Sequence, residues 1–117
     1  MKDYPQRYRE LSAQMEGLGR DLPGPMRAFE SLHESATVEG ALDAKTKELI
    51  ALGIAITVRC DGCIAYHVHD ALKAGAHRRE IVETIGVAVM MGGGPSVVYG
   101  AEAHAALEQF ERVPAEV

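Results

Sequence analysis

Apolar residues along the chain recur at helical spacing, and glycine- and proline-rich punctuation divides them into segments. Between Tyr4 and Met15, Leu11 and Met15 sit among charged neighbours, which predicts a short amphipathic helix ending near Gly17 and Gly19. Leu22-Pro23-Gly24-Pro25 reads as a turn. Pro25 then suits the first turn of a second helix that carries Met26, Phe29, Leu32 and His33 and stops before Gly40. Asp43 is placed to cap a third helix from Ala44 to about Val58, polar in its first turn and almost wholly apolar afterwards. Such a helix is expected to be buried nearly all round. Arg59 to Gly62 interrupts the apolar run, and a fourth helix follows from about Asp61 to Ala74, with Gly75 as its left-handed terminator. His77 and Glu80 stand at capping-box spacing before a fifth helix whose apolar face is Ile81, Val82, Ile85, Val89 and Met90. Gly92-Gly93-Gly94-Pro95 separates it from a sixth, Ser96 to about Glu111, rich in small residues between Gly100 and Ala106 that permit close helix contacts.

These segments predict an all-α fold, a compact bundle of about six helices. Composition agrees: the 117 residues are 47% hydrophobic but only 5% aromatic with no Trp, so the core is expected to be helix on helix rather than built around large rings. Residues 1–117 read as one domain with its core at about 20–112, a short tail at the end and no internal repeat. The net charge of −5 and the lack of a Lys/Arg cluster argue against a nucleic-acid partner. The N-terminus has no apolar signal core, and the longest uncharged apolar run, Leu49 to Val58, is too short for a bilayer, so a cytoplasmic protein without a membrane partner is expected.

Both cysteines fall in one segment, Cys60 and Cys63, with His67 four residues after the second and Glu48 twelve before the first. In a reducing cytosol a Cys-x-x-Cys pair points to redox chemistry or metal binding rather than a structural staple. A free thiol near pKa 8.5 reacts poorly with peroxides and disulfides, because the thiolate is the nucleophile. Bringing that pKa down to about 7 is worth roughly 2 kcal/mol and would ionise about half of the thiol at neutral pH. A helix starting near Asp61 would aim its unpaired N–H groups at the pair, and His67 shares the helical face of Cys63, where it can take the thiol proton. Twelve helical residues span about 18 Å, so Glu48 can approach only if the chain folds back as a hairpin. Even then it lies about one turn beyond His67, and both side chains tilt apart. A water is therefore expected between Glu48 and His67.

Two further roles for the cysteines stay open. One is a zinc site from Cys60, Cys63, His67 and His69, although there is no second Cys-x-x-Cys and His69 lies about 200° round the helix from His67. The second is a pair of inert buried thiols. His33, His69 and His104 read as surface or packing histidines, Tyr66 as pointing away from His67, and Met90-Met91 as core. Gly92 to Gly94 lacks the Lys-Ser/Thr of a phosphate loop. No flavin, haem or metal is required.

The run Glu48, eleven residues, Cys60-Asp61-Gly62-Cys63, three residues, His67 resembles the active-site signature of the alkylhydroperoxidase D-like proteins of the carboxymuconolactone decarboxylase superfamily. The similarity continues through Asp43 to Ile50 before it and through Ala71, Ala74-Gly75 and Glu80-Ile81-x-Glu83 after it, covering roughly residues 20–110. The resemblance implies an all-helical homo-oligomer, commonly a trimer or hexamer, that reduces hydroperoxides or relays electrons between thiols. It assigns Cys63 as the thiolate activated by His67 and Glu48, Cys60 as its disulfide partner, and an external dithiol or protein thiol, of which lipoamide is one type, as the reductant. Two features depart from the best-known members. They carry a histidine where this chain has Gly62, and they are longer, often with two related helical halves. The decarboxylase branch typically lacks the cysteine pair. The resemblance therefore favours a thiol peroxidase or thiol–disulfide oxidoreductase over a decarboxylase-like lyase, a zinc module or a redox-sensing scaffold.

Overall fold

A computed structural model describes residues 2–113. Among these residues there are six helices and no strand: α1 (Tyr4–Asp21), α2 (Pro23–Thr37), α3 (Ala44–Thr57), α4 (Asp61–Lys73), α5 (Arg78–Gly92) and α6 (Gly94–Glu111). The expected tail lies at 114–117, outside the described residues.

The capping signals do their work at the ends of α3, α4 and α5. Asp43 accepts a hydrogen bond from the Thr46 backbone N–H at 2.7 Å, and Glu80 accepts from the His77 N–H at 3.0 Å. Gly75, with φ +101°, takes the left-handed turn after α4. The first boundary differs from expectation. α1 runs on through Gly17 and Gly19, because glycine inside a helix costs only about 1 kcal/mol and does not stop it. What stops α1 is Pro23, which forces the preceding Leu22 out of helical geometry (φ −133°, ψ 61°) and itself becomes the first residue of α2.

α3 stands at the centre, against α4, α5 and α6. Its Leu52 and Ile56 meet Ile64 and Val68 of α4, Ile81 of α5 and Leu107 of α6 in one fully buried core. The small face of α6 is used inside the chain, since Ala103 and Ala106 are completely covered. α1 lies across α4 and α6, pinned by the buried Tyr4, whereas α2 contributes no buried residue and touches α1 and α3.

α3 is not enclosed on every side. Ile50 and Ile54 are about half exposed, and with Val87 and Met91 of α5 they line an apolar groove of about 420 Å³. Met90 and Met91, expected in the core, are 72% and 75% exposed. The later turns of α3 and α5 carry apolar residues on more of their circumference than the bundle covers. No helix among the described residues is long and apolar enough to cross a membrane.

Candidate active site

α3 ends at Thr57, and the chain reverses through Val58, Arg59 and Cys60. Arg59 takes the left-handed conformation (φ 60°), which lets the Cys60 N–H return to the Ala55 carbonyl at 3.1 Å. Cys60 is the N-cap of α4: its sulfur accepts from the Cys63 N–H at 3.2 Å, so it sits where the helix dipole favours negative charge. Cys60 and Cys63 are joined as a disulfide with their Cα atoms 5.1 Å apart, within the range such a bridge needs.

One turn along α4, His67 Nδ1 lies 2.8 Å from Glu48 Oε1 of α3. This replaces the expected bridging water with a direct bond. The hairpin does leave the two residues offset, but the flexible glutamate side chain takes up the difference. At 6% exposure its carboxylate gains more from a charge-assisted bond than from water. With Nδ1–H donated to the carboxylate, Nε2 is the ring nitrogen left to act as base. The four candidates thus form two bonded pairs, Cys60–Cys63 and Glu48–His67, on one stretch of α4 and the facing turn of α3. No hydrogen bond among the described residues joins His67 to either sulfur.

The residues between the cysteines are held by α1. Lys2 Nζ reaches Asp61 Oδ1 at 2.9 Å and Arg7 Nε reaches Oδ2 at 3.1 Å. Burial pushes the Asp61 carboxyl up, but the hydrogen bonds from Lys2 and Arg7 outweigh it and hold the group below the ordinary carboxylate range. Lys2 also meets Glu102 Oε1 at 2.6 Å, and the bonds to Glu102 and then Asp61 push its ammonium up to about 12. Glu102 is held low by Lys2 and by the hydroxyl of Tyr4, while Tyr4 is pushed up by burial and by its bond to Glu102. Beside Asp61, a Cβ on Gly62 would come 2.8 Å from Leu11 Cδ2, so the glycine fits the passage of α1 over the cysteine turn. Nothing local in the sequence ties residues 2, 7 and 11 to 61 and 62; only the fold does.

The remaining histidines divide. His69 is a packing residue: it bonds Asp70 at 2.8 Å and stacks on Tyr8 at 4.0 Å, and the four members of the zinc alternative do not form a ligand cluster among the described residues. Tyr66 also faces α1, its hydroxyl 2.6 Å from Ser12 Oγ. His104 lies at the surface, 3.3 Å from Arg78. His33 is at the surface, as expected, with carboxylates beside it that its helical spacing does not show. It is exposed on α2, yet one of its nitrogens, a Glu48 oxygen and an Asp70 oxygen lie within 4.8 Å of one another. Helical spacing along α2 could not show this, because the carboxylates come from α3 and α4.

Residues 23–106 match the model of the carboxymuconolactone decarboxylase family. The chain belongs to this family. A family protein from Legionella pneumophila has a crystal structure that superimposes with a TM-score of 0.89 at 43% identity, covering 93% of this chain and 97% of that one. A second family protein, from Thermotoga maritima, gives a TM-score of 0.69 at 33% identity over 74% of this chain and 90% of its own, and its description ties it, as a possibility, to the antioxidative response. An uncharacterised protein of Cupriavidus necator is 37% identical over 101 residues, 86% of this chain and 89% of that protein. The family match contains Glu48, Cys60, Cys63 and His67; α1, with Arg7 and Leu11, and Lys2 before it lie ahead of the match.

Proposed function

We propose that the protein is a thiol-dependent peroxidase, or a thiol–disulfide oxidoreductase using the same pair, in which Cys63 is the attacking thiolate and Cys60 resolves it. The observation that carries this reading is the Cys60–Cys63 bridge at the start of α4 together with the Glu48–His67 bond one turn further on. The antioxidative response named as a possibility for the Thermotoga relative points in the same direction.

In the reduced protein, His67 Nε2 takes the Cys63 proton, and the Glu48 carboxylate stabilises the imidazolium that forms. The thiolate attacks the terminal oxygen of a hydroperoxide and the O–O bond breaks. The alcohol leaves with the proton returned by His67, and Cys63 becomes a sulfenic acid. The Cys60 thiol then attacks that sulfur, its proton passing to the departing hydroxyl so that water leaves, and the disulfide forms. An external dithiol, of the lipoamide type or on a protein, restores both thiols by exchange and is itself oxidised to a disulfide. No bound cofactor takes part, and the reaction suits the cytoplasm, where reducing thiols are maintained. The groove of Ile50, Ile54, Val87 and Met91 and the exposed Phe29 and Leu32 of α2 support assembly as a homo-oligomer; a trimer or hexamer is what the family resemblance implies.

The deciding assay follows consumption of an organic hydroperoxide with dihydrolipoamide as reductant. Wild type should turn over and Cys63→Ser should not; undiminished turnover in the variant would overturn the mechanism. Turnover of a carboxylated lactone that survives loss of both cysteines would move the protein to the decarboxylase branch.

A further inference from the structure

Glu48 has neighbours that the redox mechanism does not use. His33 of α2, Glu48 of α3 and Asp70 of α4 each offer one ligand atom, and the three atoms lie within 4.8 Å of one another. A tetrahedral ion bound at about 2.1 Å draws its ligands to about 3.4 Å apart, a contraction that side-chain rotation supplies. The charge balance at this point asks for a cation. Glu48 and Asp70 have side-chain exposures of only 8% and 22%, and their ion-pair partners are imidazoles, His67 at 2.8 Å and His69 at 2.8 Å. No Lys or Arg pairs with either carboxylate among the described residues. Two carboxylates this close and this sheltered from water repel each other, and a divalent ion between them removes that repulsion.

We propose that His33, Glu48 and Asp70 form a binding site for a divalent transition-metal ion of the Zn²⁺ class. One imidazole and two carboxylates suit Zn²⁺ or Co²⁺, with a further position open to water, whereas all-oxygen sites suit Mg²⁺ and Ca²⁺. Ligation through His33 fixes α2, which otherwise buries no residue, against α3 and α4. It also sets the ion in competition with His67 for the Glu48 carboxylate. On the functional reading above, an occupied site therefore slows peroxide turnover; the binding itself does not depend on that reading.

The test uses the oxidised protein, whose disulfide removes both sulfurs as ligands. Calorimetry with Zn²⁺ and visible absorption with Co²⁺ should each show one saturable ion per chain. His33→Ala and Asp70→Asn should each weaken binding at least about tenfold while far-UV circular dichroism stays unchanged. His33→Ala alters an exposed residue and keeps the test valid should Asp70→Asn fail to fold. Absence of saturable binding in the wild type, or binding that survives His33→Ala, overturns the site. Zn²⁺ binding at this site in a protein with no peroxidase activity refutes the functional reading and leaves the metal site standing.

Discussion

Replacing Glu48 by glutamine isolates what the carboxylate does for His67. The side chain keeps its shape, and its amide oxygen can still accept from Nδ1–H across the present 2.8 Å, so the ring is not cast loose. What disappears is the charge. A hydrogen bond to a charged group contributes about 1.5–3 kcal/mol and a neutral one about 0.5–1.5, a difference of about 1–2 kcal/mol. Glu48 is almost buried, so solvent screens little of that difference. In the proposed mechanism it acts when the imidazole becomes positive, the step that generates the Cys63 thiolate, and so corresponds to a rate loss of about five- to thirtyfold. The measurement is a single-turnover oxidation of pre-reduced protein by a hydroperoxide, followed by loss of titratable thiol, at a series of pH values. Glu48→Gln should be slower near neutrality and should recover as pH rises and the thiol ionises without help. A variant equal to wild type at every pH would refute the idea that Glu48 works through His67.

Three further outcomes are expected. Asp61 and Glu102 are held below their ordinary pKa values, so the stability they contribute is complete above the unfolded carboxyl range, near pH 4, and disappears as pH falls through their lower folded values. Thermal melts of the wild type should therefore lose more between pH 5 and pH 3 than those of Asp61→Asn/Glu102→Gln, and parallel curves would count against the network. Gly62→Ala should fall short of the roughly 1 kcal/mol that alanine ordinarily gains over glycine inside a helix, because Leu11 must turn away, and in a Leu11→Ala background that gain should return; denaturant titration of the four proteins measures the coupling. Ile54→Lys places a charge in the α3–α5 groove and should convert an oligomer to monomer in light scattering without lowering helix content; an unchanged mass would exclude the groove as an interface.

Elements whose ends carry local chemistry were legible in the sequence. Asp43 starts α3 and Gly75 follows α4 because each signal acts within a few residues. The α1–α2 boundary was misplaced by two glycines that merely weaken a helix and by a proline whose effect falls on its predecessor. The spacing of Glu48, Cys60, Cys63 and His67 made the site visible, but the direct Glu48–His67 bond was not, since rise per residue locates backbones and says little about how far a glutamate can lean. Asp61's partners and the meeting of His33 with Asp70 depend on helix packing across long stretches of chain. The exposed side of α3 was unreadable for another reason: an apolar helix looks the same whether its cover comes from its own chain or from another.

The attachment of α1 joins two kinds of force at its N-terminal end. Tyr4 is wholly buried, while Lys2 and Arg7 meet Asp61 through bridges with side chains 54%, 40% and 31% exposed. Added electrolyte weakens the second kind and leaves the first almost untouched. Tyr4 therefore behaves as a pivot and the Asp61 contacts as a latch, so that raising ionic strength loosens the hold on the cysteine turn while the helix stays anchored to the bundle.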